Sequence, residues 1–556
     1  MCLTGVKLYK SIYLSGKEAL ISISYGITKL TQSACALNQA TCGDPDLGIS
    51  YPLNSASIMD LNAQHDKAVA DISAAVKSLH ARNEPFYIVD SASETGVGSS
   101  NNSGSSGGGG GVDVSKLNNI LSIDPAAKMV TVEPNVTMGE LLRATLKHEL
   151  RPAVVIEFPE TRMGRAFSGS IAESSSFKHG YFSDSVSSIE MVLADGRIVN
   201  ASLFENGDLL KGAAGSMNTL GVVTKLEMTL VPACKFVKAT YNNFRSPSEM
   251  IDAVRRFMED TEYEFIDGII FSETHCVAIT GELVDEIPRS FEPQNFSGSW
   301  DPWFYLQVQQ RTERSMVGLS PIDYIPLTEY LFRYDRGGFW LGSEVFKRFG
   351  ANPSNRFTRW FLHRLSSGRK GLKEAQEATS ASTVIIQDVS LPFDTAADFI
   401  SKATKTLDIW PMWICPVRGT PAPTFHPHAT DAVGLAIPML NIGIWGKPKT
   451  TSSKDQGSKG IVQVNKDLEN WVTELGGRKT LCTPTYYTRE QFWKLYDKGS
   501  YEALRRKYGA TGLPTVYDRI SASEASGKGR SVTWPSRFTI SNDMKFGQAP
   551  ISSATR

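Results

Sequence analysis

Residues 65–90 read HDKAVADISAAVKSLHARNEPFYIVD. Val69, Ile72, Val76 and Leu79 recur at helical spacing on an otherwise polar stretch, and Phe86 to Val89 follow as a short apolar run. The pattern predicts a helix and then a strand. In MVTVEPNVTMGELLRATLKHEL, Val130 and Val132 mark a strand, and Thr137 and Glu140 stand at capping-box spacing. A helix should therefore start at Met138 and bury Leu141, Leu142 and Leu146. Further along, SSIEMVLADGRIVNAS sets two apolar runs on either side of Asp195-Gly196, a hairpin signal. In NTLGVVTKLEMTLVPA, Val222, Thr224, Leu226, Met228 and Leu230 alternate with Val223, Lys225, Glu227 and Thr229, as in an antiparallel strand buried on one face. Pro232 closes that strand. Past Cys234 the chain is richer in aromatics, with helix and strand signals mixed, so a boundary is expected near residue 233. The expected divisions are an extension over 1–56, an α+β domain over 57–233, a second α+β domain over 234–522 and a tail over 523–556.

Two stretches break the periodic pattern. The first, DSASETGVGSSNNSGSSGGGGG, follows the predicted strand at Phe86 to Val89. Its glycine run, Gly107 to Gly111, reads as a flexible linker. Its beginning, Ser91 to Gly96, offers consecutive backbone N–H groups and hydroxyls at a strand end, an arrangement that can ring an anion such as a pyrophosphate. The second, GSIAESSSFKHGYFSDSVSSIEMVLADGRIV, runs from Gly169 to Val199. Small residues there let backbone lie against a large polar ligand, and the strands that follow give rigid support. Together the two suggest one long ligand threaded between two subdomains.

Composition narrows the partners. The chain has 556 residues, 58 basic and 58 acidic, so no overall charge favours nucleic acid or an anionic membrane surface. Seven scattered cysteines form no C-x-x-C pair and no zinc-type spacing, which suits a reducing compartment and predicts no metal site. Charged residues interrupt the first thirty positions, and no uncharged run approaches the roughly 18 apolar residues of a spanning helix. The expectation is a cytoplasmic protein or one peripherally associated with the endoplasmic reticulum. Walker, H-E-x-x-H and G-x-S-x-G motifs are missing, as is a G-x-G-x-x-G after a strand. Oligomeric state has no sequence signal.

The segments VEPNVTMGELL, GSIAESSSFKHGYFSDSVSSIEMVLADGRIV and NTLGVVTKLEMTLVPA resemble, in this order, the FAD-binding domain of the vanillyl-alcohol oxidase/p-cresol methylhydroxylase (PCMH) superfamily. Within it the likeness is to the sterol Δ24-reductases. DYIPLTEYLFRYDRGGFW, VIIQDVSLPF, WPMWICPVR, TREQFWKLYD and LPTVYDRIS resemble that family's C-terminal segments. The resemblance implies an α+β fold: a two-subdomain PCMH-type FAD-binding domain followed by an α+β substrate (cap) domain. It implies one FAD, held noncovalently because neither stretch where the superfamily tethers its flavin supplies the usual His or Cys. The pyrophosphate would lie in the loop of Ser91, Ala92, Ser93, Glu94, Thr95 and Gly96. Gly164, Gly169, Ser170, Glu173, Ser174, Ser175, Lys178, His179 and Gly180 would run beside the flavin, with Glu133, Gly221, Val222 and Val223 adding contacts. Glu173 is expected to fix the turn, and Lys178 or His179 to face the flavin or its phosphates. The family's paired-glycine turn is replaced by TRMGRAF, where Arg165 either pairs with a flavin phosphate or crowds the older geometry. The family's membrane anchor is also missing, which widens the range of substrates beyond a membrane-embedded sterol.

The family's reaction passes a hydride from NADPH to the flavin and on to one carbon of an alkene, with a proton delivered to the other. This chain would have to position a hydrophobic small molecule and supply the proton. Ionisable candidates are Arg333, Tyr334, Asp335, His426, His428, Tyr486, Tyr487 and Lys178, with Arg333, Tyr334 and Tyr487 foremost; each also fits ordinary packing. The HPH triplet at 426–428 has no third metal ligand nearby and reads as a loop. WPMWICPV and LNIGIW fit a pocket wall or core, and Trp410 and Trp413 would not share a strand face. Three activities are compatible with these features: an NADPH-dependent reductase of an isolated C=C bond, an oxygen-using FAD-dependent oxidase or cyclase of natural products, or a flavin-bearing binding protein.

Overall fold

The computed structural model describes residues 55–89, 110–313, 319–341, 343, 385–448 and 458–522. Apart from the first turn of one helix, everything below lies in the unit Asp60–Arg556. The predicted loop Ser91 to Gly96 falls outside the described residues.

The first helix spans Ser55–Ala81 and buries Val69, Ile72, Val76 and Leu79, the stripe read from the sequence. It leads into β1 (Phe86–Val89), which pairs in parallel with β2 (Gly110–Asp113). A six-stranded sheet follows, built from β3 (Ile120–Asp124), β4 (Met129–Val132), β5 (Leu150–Pro152), β6 (Val186–Leu193), β7 (Ile198–Ser202) and β8 (Gly221–Pro232). Its order is β3-β4-β8-β6-β7, with β5 also on β8. The long β8 is the spine of this sheet because its length lets it pair with β4, β5 and β6. Val222, Thr224, Leu226, Met228 and Leu230 are buried along it, while Lys225 and Glu227 are half-buried and Thr229 is exposed. The helix Met138–Leu146 starts at the expected capping box: the Glu140 N–H donates to Thr137 Oγ1 at 3.2 Å and the Thr137 N–H to Glu140 Oε2 at 2.9 Å. The β6-β7 hairpin turns at Asp195-Gly196. Gly196 has φ +84°, and a Cβ there would sit 2.3 Å from Lys77 Cγ, so this turn against the first helix demands glycine. Ser73 Oγ donates to the Gly196 carbonyl at 2.6 Å and seals the contact.

The chain changes sheets within three residues, β8 ending at Pro232 and β9 opening at Phe236. The second sheet is antiparallel and has eight strands: β9 (Phe236–Phe244), β10 (Tyr263–Ser272), β11 (His275–Val284), β12 (Ile322–Pro326), β13 (Ile385–Pro392), β14 (Met412–Val417), β15 (Met439–Gly446) and β16 (Arg478–Lys479). Its order is β12-β9-β11-β10-β14-β15-β13-β16. The helices Pro247–Phe257 and Phe393–Leu407 cover one face, packing Met250, Val254, Phe399 and Ile400 on Ile266, Ile270, Ile414 and Ile442. The other face, with Phe265, Ile269, Trp413, Cys415 and Trp445, joins the core of the six-stranded sheet. Among the described residues no helix is long and apolar enough to cross a membrane.

One buried ion cluster anchors the first helix. His65 is 3% exposed; its Nδ1 lies 2.7 Å from Glu133 Oε1 and its Nε2 2.9 Å from Glu190 Oε1. With a carboxylate on each nitrogen, both must donate, so the ring is an imidazolium. Burial opposes that charge, yet the hydrogen bonds to Glu133 and Glu190 outweigh it and lift the His65 pKa to about 9. Glu190, which also accepts from Thr224 and Lys225, falls to about 2.

A folded-state pKa above the unfolded value gives stability that is complete below the unfolded pKa, 6.5, and disappears as pH rises through about 9. Denaturant unfolding should therefore show a loss on the order of 3 kcal/mol between these limits. The slope should vanish in His65→Gln; an equal slope in that variant would assign the pH dependence elsewhere.

Candidate functional site

After β5 the chain runs irregularly through Ala153–Phe158, forms the helix Met163–Ser168, crosses Gly169–Ser175, and enters the short helix Ser176–His179. Ala153–Phe158 and Ala166–Phe177 are all buried. Ser175 Oγ donates to the Ala153 carbonyl at 2.9 Å, fastening the two irregular stretches together, and the Glu173 N–H donates to Ser176 Oγ at 2.8 Å, shaping the turn. Just before Glu173, the main-chain N–H groups of Ser170, Ile171 and Ala172 have no hydrogen-bond partner among the described residues. Three consecutive buried donors without acceptors are costly unless a polar ligand completes them. Beside them runs Gly215–Asn218, pinned to the Met163–Ser168 helix by Gly215 N–H to the Phe167 carbonyl at 3.1 Å and Met217 N–H to the Ser168 carbonyl at 3.0 Å. Met217 (φ +56°) and Asn218 (φ +57°) are successive left-handed residues without being glycine, a strain characteristic of ligand sites.

The glycines predicted to approach a ligand have reasons within the protein. A Cβ on Gly164 would meet Pro134 Cβ at 2.7 Å, one on Gly221 would meet the Val192 carbonyl at 2.5 Å, and one on Gly180 would strike Asp184 and Arg418. Gly169 is the C-cap of the Met163–Ser168 helix, where a Cβ would lie 3.1 Å from the Arg165 carbonyl. Val222 and Val223 are buried in β8. Glu133 is engaged by His65 and by the N–H and side-chain amide of Asn119.

The Gly169–Ser176 segment is bonded directly to the second sheet. The Ile266 N–H donates to the Ser174 carbonyl at 2.7 Å, Cys415 Sγ to the Glu173 carbonyl at 3.0 Å, and the Arg418 N–H to the Ser176 carbonyl at 3.2 Å. A charged latch reinforces the joint. Glu264 of β10 receives Arg151, Lys178 Nζ at 2.8 Å and His179 Nε2 at 2.8 Å. Burial would raise its carboxyl, but the bonds from His179, Arg151 and Lys178 win and hold it near 2. Lys178 and His179, expected to face a ligand, instead turn to Glu264.

Over this joint the sheet presents polar side chains in one row. Cys415, Asn441 and Ser390 are direct cross-strand neighbours on β14, β15 and β13, and Arg478 of β16 continues the row. Asp267, one step past the Gly268–Ile414 pair, begins it on β10. Asp267 is fully buried, and its Oδ2 accepts from Arg333 Nη2 at 2.9 Å, Tyr334 Oη at 2.8 Å and Trp413 Nε1 at 3.1 Å. Among the described residues its other oxygen has no hydrogen-bond partner. Aromatic rings enclose the network: Tyr334 stacks on Phe339 at 4.2 Å, Phe339 lies 4.5 Å from Trp445, and Phe339 also approaches Phe158 of the first irregular stretch at 6.1 Å. Burial, then the charge of Asp267, raises the Tyr334 hydroxyl well above its usual pKa. Asp335, next in the chain, is pushed up to about 7 by burial and then by Glu160.

Arg333 and Tyr334 thus come together, whereas Tyr487 does not join them. Its hydroxyl donates to the Glu469 carbonyl at 2.8 Å and contacts Thr473 Oγ1 at 2.9 Å, beside a fully buried Lys479–Glu469 pair, and the Tyr486 N–H is taken by the Glu469 carboxylate. Trp413 faces Asp267, while the half-buried Trp410 donates to Asp408 and packs on the helix-covered side. Asp267 and Glu264 escaped the sequence reading although each is an acid inside the apolar strand YEFIDGIIFS, which was the available signal. Among the described residues no cluster could hold a metal ion.

A family profile described as an FAD binding domain matches residues 67–202, which includes the donor-rich segment Ser170–Ala172 but not the Gly215–Asn218 turn. Delta(24)-sterol reductase of Mus musculus is 27% identical over 408 residues, 73% of this chain and 76% of that protein. The Homo sapiens enzyme is 28% identical over the same shares, and that of Pisum sativum 28% over 475 residues, 81% of this chain and 82% of that protein. Over about three quarters of its length or more the chain is thus similar to Delta(24)-sterol reductases of animals and plants. It is an FAD-dependent oxidoreductase. The buried donors of Ser170–Ala172 fit a ligand that carries carbonyl and ring-nitrogen acceptors, as a flavin does.

Glu264→Ala would leave Arg151 buried without its counter-charge and should cost about 3–5 kcal/mol in denaturant unfolding, against less than about 1 kcal/mol for Lys178→Ala, whose side chain is 40% exposed. Equal costs would mean the latch is not centred on Arg151. Because the Ser175 hydroxyl fastens Ala153, Ser175→Ala should lower the apoprotein's melting temperature and its FAD affinity together; a loss of affinity alone would place that hydroxyl on the cofactor.

Proposed function

We propose that this oxidoreductase reduces an isolated C=C bond of a sterol-like or isoprenoid substrate, with NADPH as electron donor and FAD bound noncovalently. The observation that carries this reading is a buried polar network, Asp267 with Arg333, Tyr334 and Trp413, set among aromatic rings beside the Gly169–Ser176 segment. An alkene has no hydrogen-bonding group, so apolar and aromatic surface must hold it, while its reduction needs one proton delivered from a fixed place. The family name of the relatives supports the same chemistry.

In this reading the eight-stranded sheet is the substrate side, and the Ser170–Ala172 donors hold the flavin, which supplies the hydride when bound. Arg333 and Asp267 fix each other, and the Tyr334 hydroxyl, donating to Asp267 and resistant to ionisation, orients and does not give up its proton. Asp335 is better suited as the proton carrier, since a carboxyl near 7 is partly protonated at neutral pH and still acidic enough to donate. It sits in the turn that brings Phe339 against Phe158. Lys178 and Tyr487 have no part in this assignment because both are occupied elsewhere.

Without oxygen, NADPH should bleach the flavin, and an added sterol or isoprenoid alkene should restore its colour while gaining two hydrogens by mass spectrometry. Bleaching by such a substrate alone, with peroxide released in air, would replace the proposal with an oxidase or cyclase. Bleaching by neither would leave a flavin-bearing binding protein. A general acid must be protonated to act, so the alkene step should slow as pH rises through about 7. Asp335→Asn should abolish most of that step while leaving flavin bleaching by NADPH intact; an unaltered pH profile in this variant would move the proton to another group.

A further inference from the structure

The loop Phe425-His426-Pro427-His428, between β14 and β15, lies on the same segment that holds the unpaired donors. His426 is 3% exposed. Its Nε2 is 2.8 Å from Ser183 Oγ, and its ring stacks on Tyr181 with centroids 4.3 Å apart and planes 10° apart. The loop is held on three sides. His428 Nδ1 donates to the His426 carbonyl at 2.8 Å, Tyr181 Oη donates to the Pro427 carbonyl at 3.0 Å, and Ser170 Oγ lies 3.5 Å from the Phe425 carbonyl.

With the ring fixed in this way, Nδ1 is buried and has no hydrogen-bond partner among the described residues. The Cε1–Nδ1 edge of the ring lies against Gly215, with Ser170 beside it: a Cβ on Gly215 would lie 3.2 Å from Cε1, 3.3 Å from Nδ1 and 3.1 Å from Ser170 Oγ. Gly215 opens the strained Gly215–Asn218 turn, and Ser170 opens the run of unpaired N–H groups. Three independent features, a lone imidazole nitrogen, unpaired amides and left-handed backbone, therefore meet at one place. Tyr181, Phe425, Ser183 and His428 surround the ring, and burial lowers its pKa to about 3, so it is neutral. A neutral ring suits an uncharged polar edge and not a phosphate, which would call for a cation.

We infer that His426 is a flavin-binding residue whose Nδ1 makes a hydrogen bond to an uncharged polar edge of the bound cofactor, with Ser183 fixing the ring through Nε2. This rests on the FAD reading above and is independent of which alkene is reduced.

Asparagine places its amide close to the position of Nδ1, and glutamine close to that of Nε2, so the two variants separate the two nitrogens. Apoprotein would be titrated with FAD and followed by flavin fluorescence, with apoprotein melting measured in parallel. His426→Gln should weaken FAD binding about tenfold at an unchanged apoprotein melting temperature, and His426→Asn should restore most of the affinity. Loss in both variants at unchanged melting would also support a cofactor contact that neither amide reproduces. Wild-type affinity in His426→Gln would overturn the inference, as would affinity lost only in step with melting temperature. Failure of the wild-type protein to bind FAD would instead overturn the functional reading on which the inference stands.

Discussion

The backbone hydrogen bond from Ile266 to Ser174 is the joint on which the site depends. Gly169–Ser176 belongs by sequence to the six-stranded half, yet its carbonyls are taken by strands of the eight-stranded half, and Glu264 clamps the same joint by charge. A main-chain bond fixes register as well as distance. Asp267, the next residue after Ile266, is thereby set beside the segment without any flexible linker between them. Distributing the joint over β10 and β14 restrains rotation as well as separation. This is the condition for a cofactor and substrate to meet at constant spacing, because a displacement of even an ångström can remove much of the benefit of positioning.

The local grammar of the chain was readable where one segment decides its own structure. The stripe Val69, Ile72, Val76 and Leu79 cannot be buried except as one helix face, the Thr137/Glu140 pair caps itself, and Asp195-Gly196 makes its turn with neighbours a few residues away. The serine-rich segment was recognisable as unusual for the same local reason. The roles of the charged residues were not, because they are settled by partners 68 or more residues away: Lys178 and His179 of that segment are claimed by Glu264, and Glu133 by His65. A lysine near a ligand segment looks like a ligand contact until a buried carboxylate from another sheet competes for it. Tyr487 shows the converse, since a tyrosine among family-like motifs turns out to bond the Glu469 main-chain carbonyl beside a buried Lys–Glu pair.

Polar residues inside a sheet interior need a reason to persist. Asp267, Cys415, Asn441 and Ser390 occupy a row that apolar side chains could fill, as Ile266, Ile414 and Ile442 do on the opposite face. Replacing a buried ion pair with well-packed apolar groups is often neutral or stabilising, so Asp267–Arg333 is weak as an argument for stability. Its retention makes sense if the row does work that packing cannot do. The uncommitted Asp267 oxygen agrees with this, since a purely structural carboxylate gains by satisfying both of its oxygens. The row meets the Gly169–Ser176 segment at Cys415 and Glu173, the place where unpaired donors on the other side also await a ligand. Unsatisfied polar groups on two facing surfaces of one interior are unfavourable separately; under the proposed function a bound flavin would complete those of the Gly169–Ser176 segment and tie the two halves of the fold into one site.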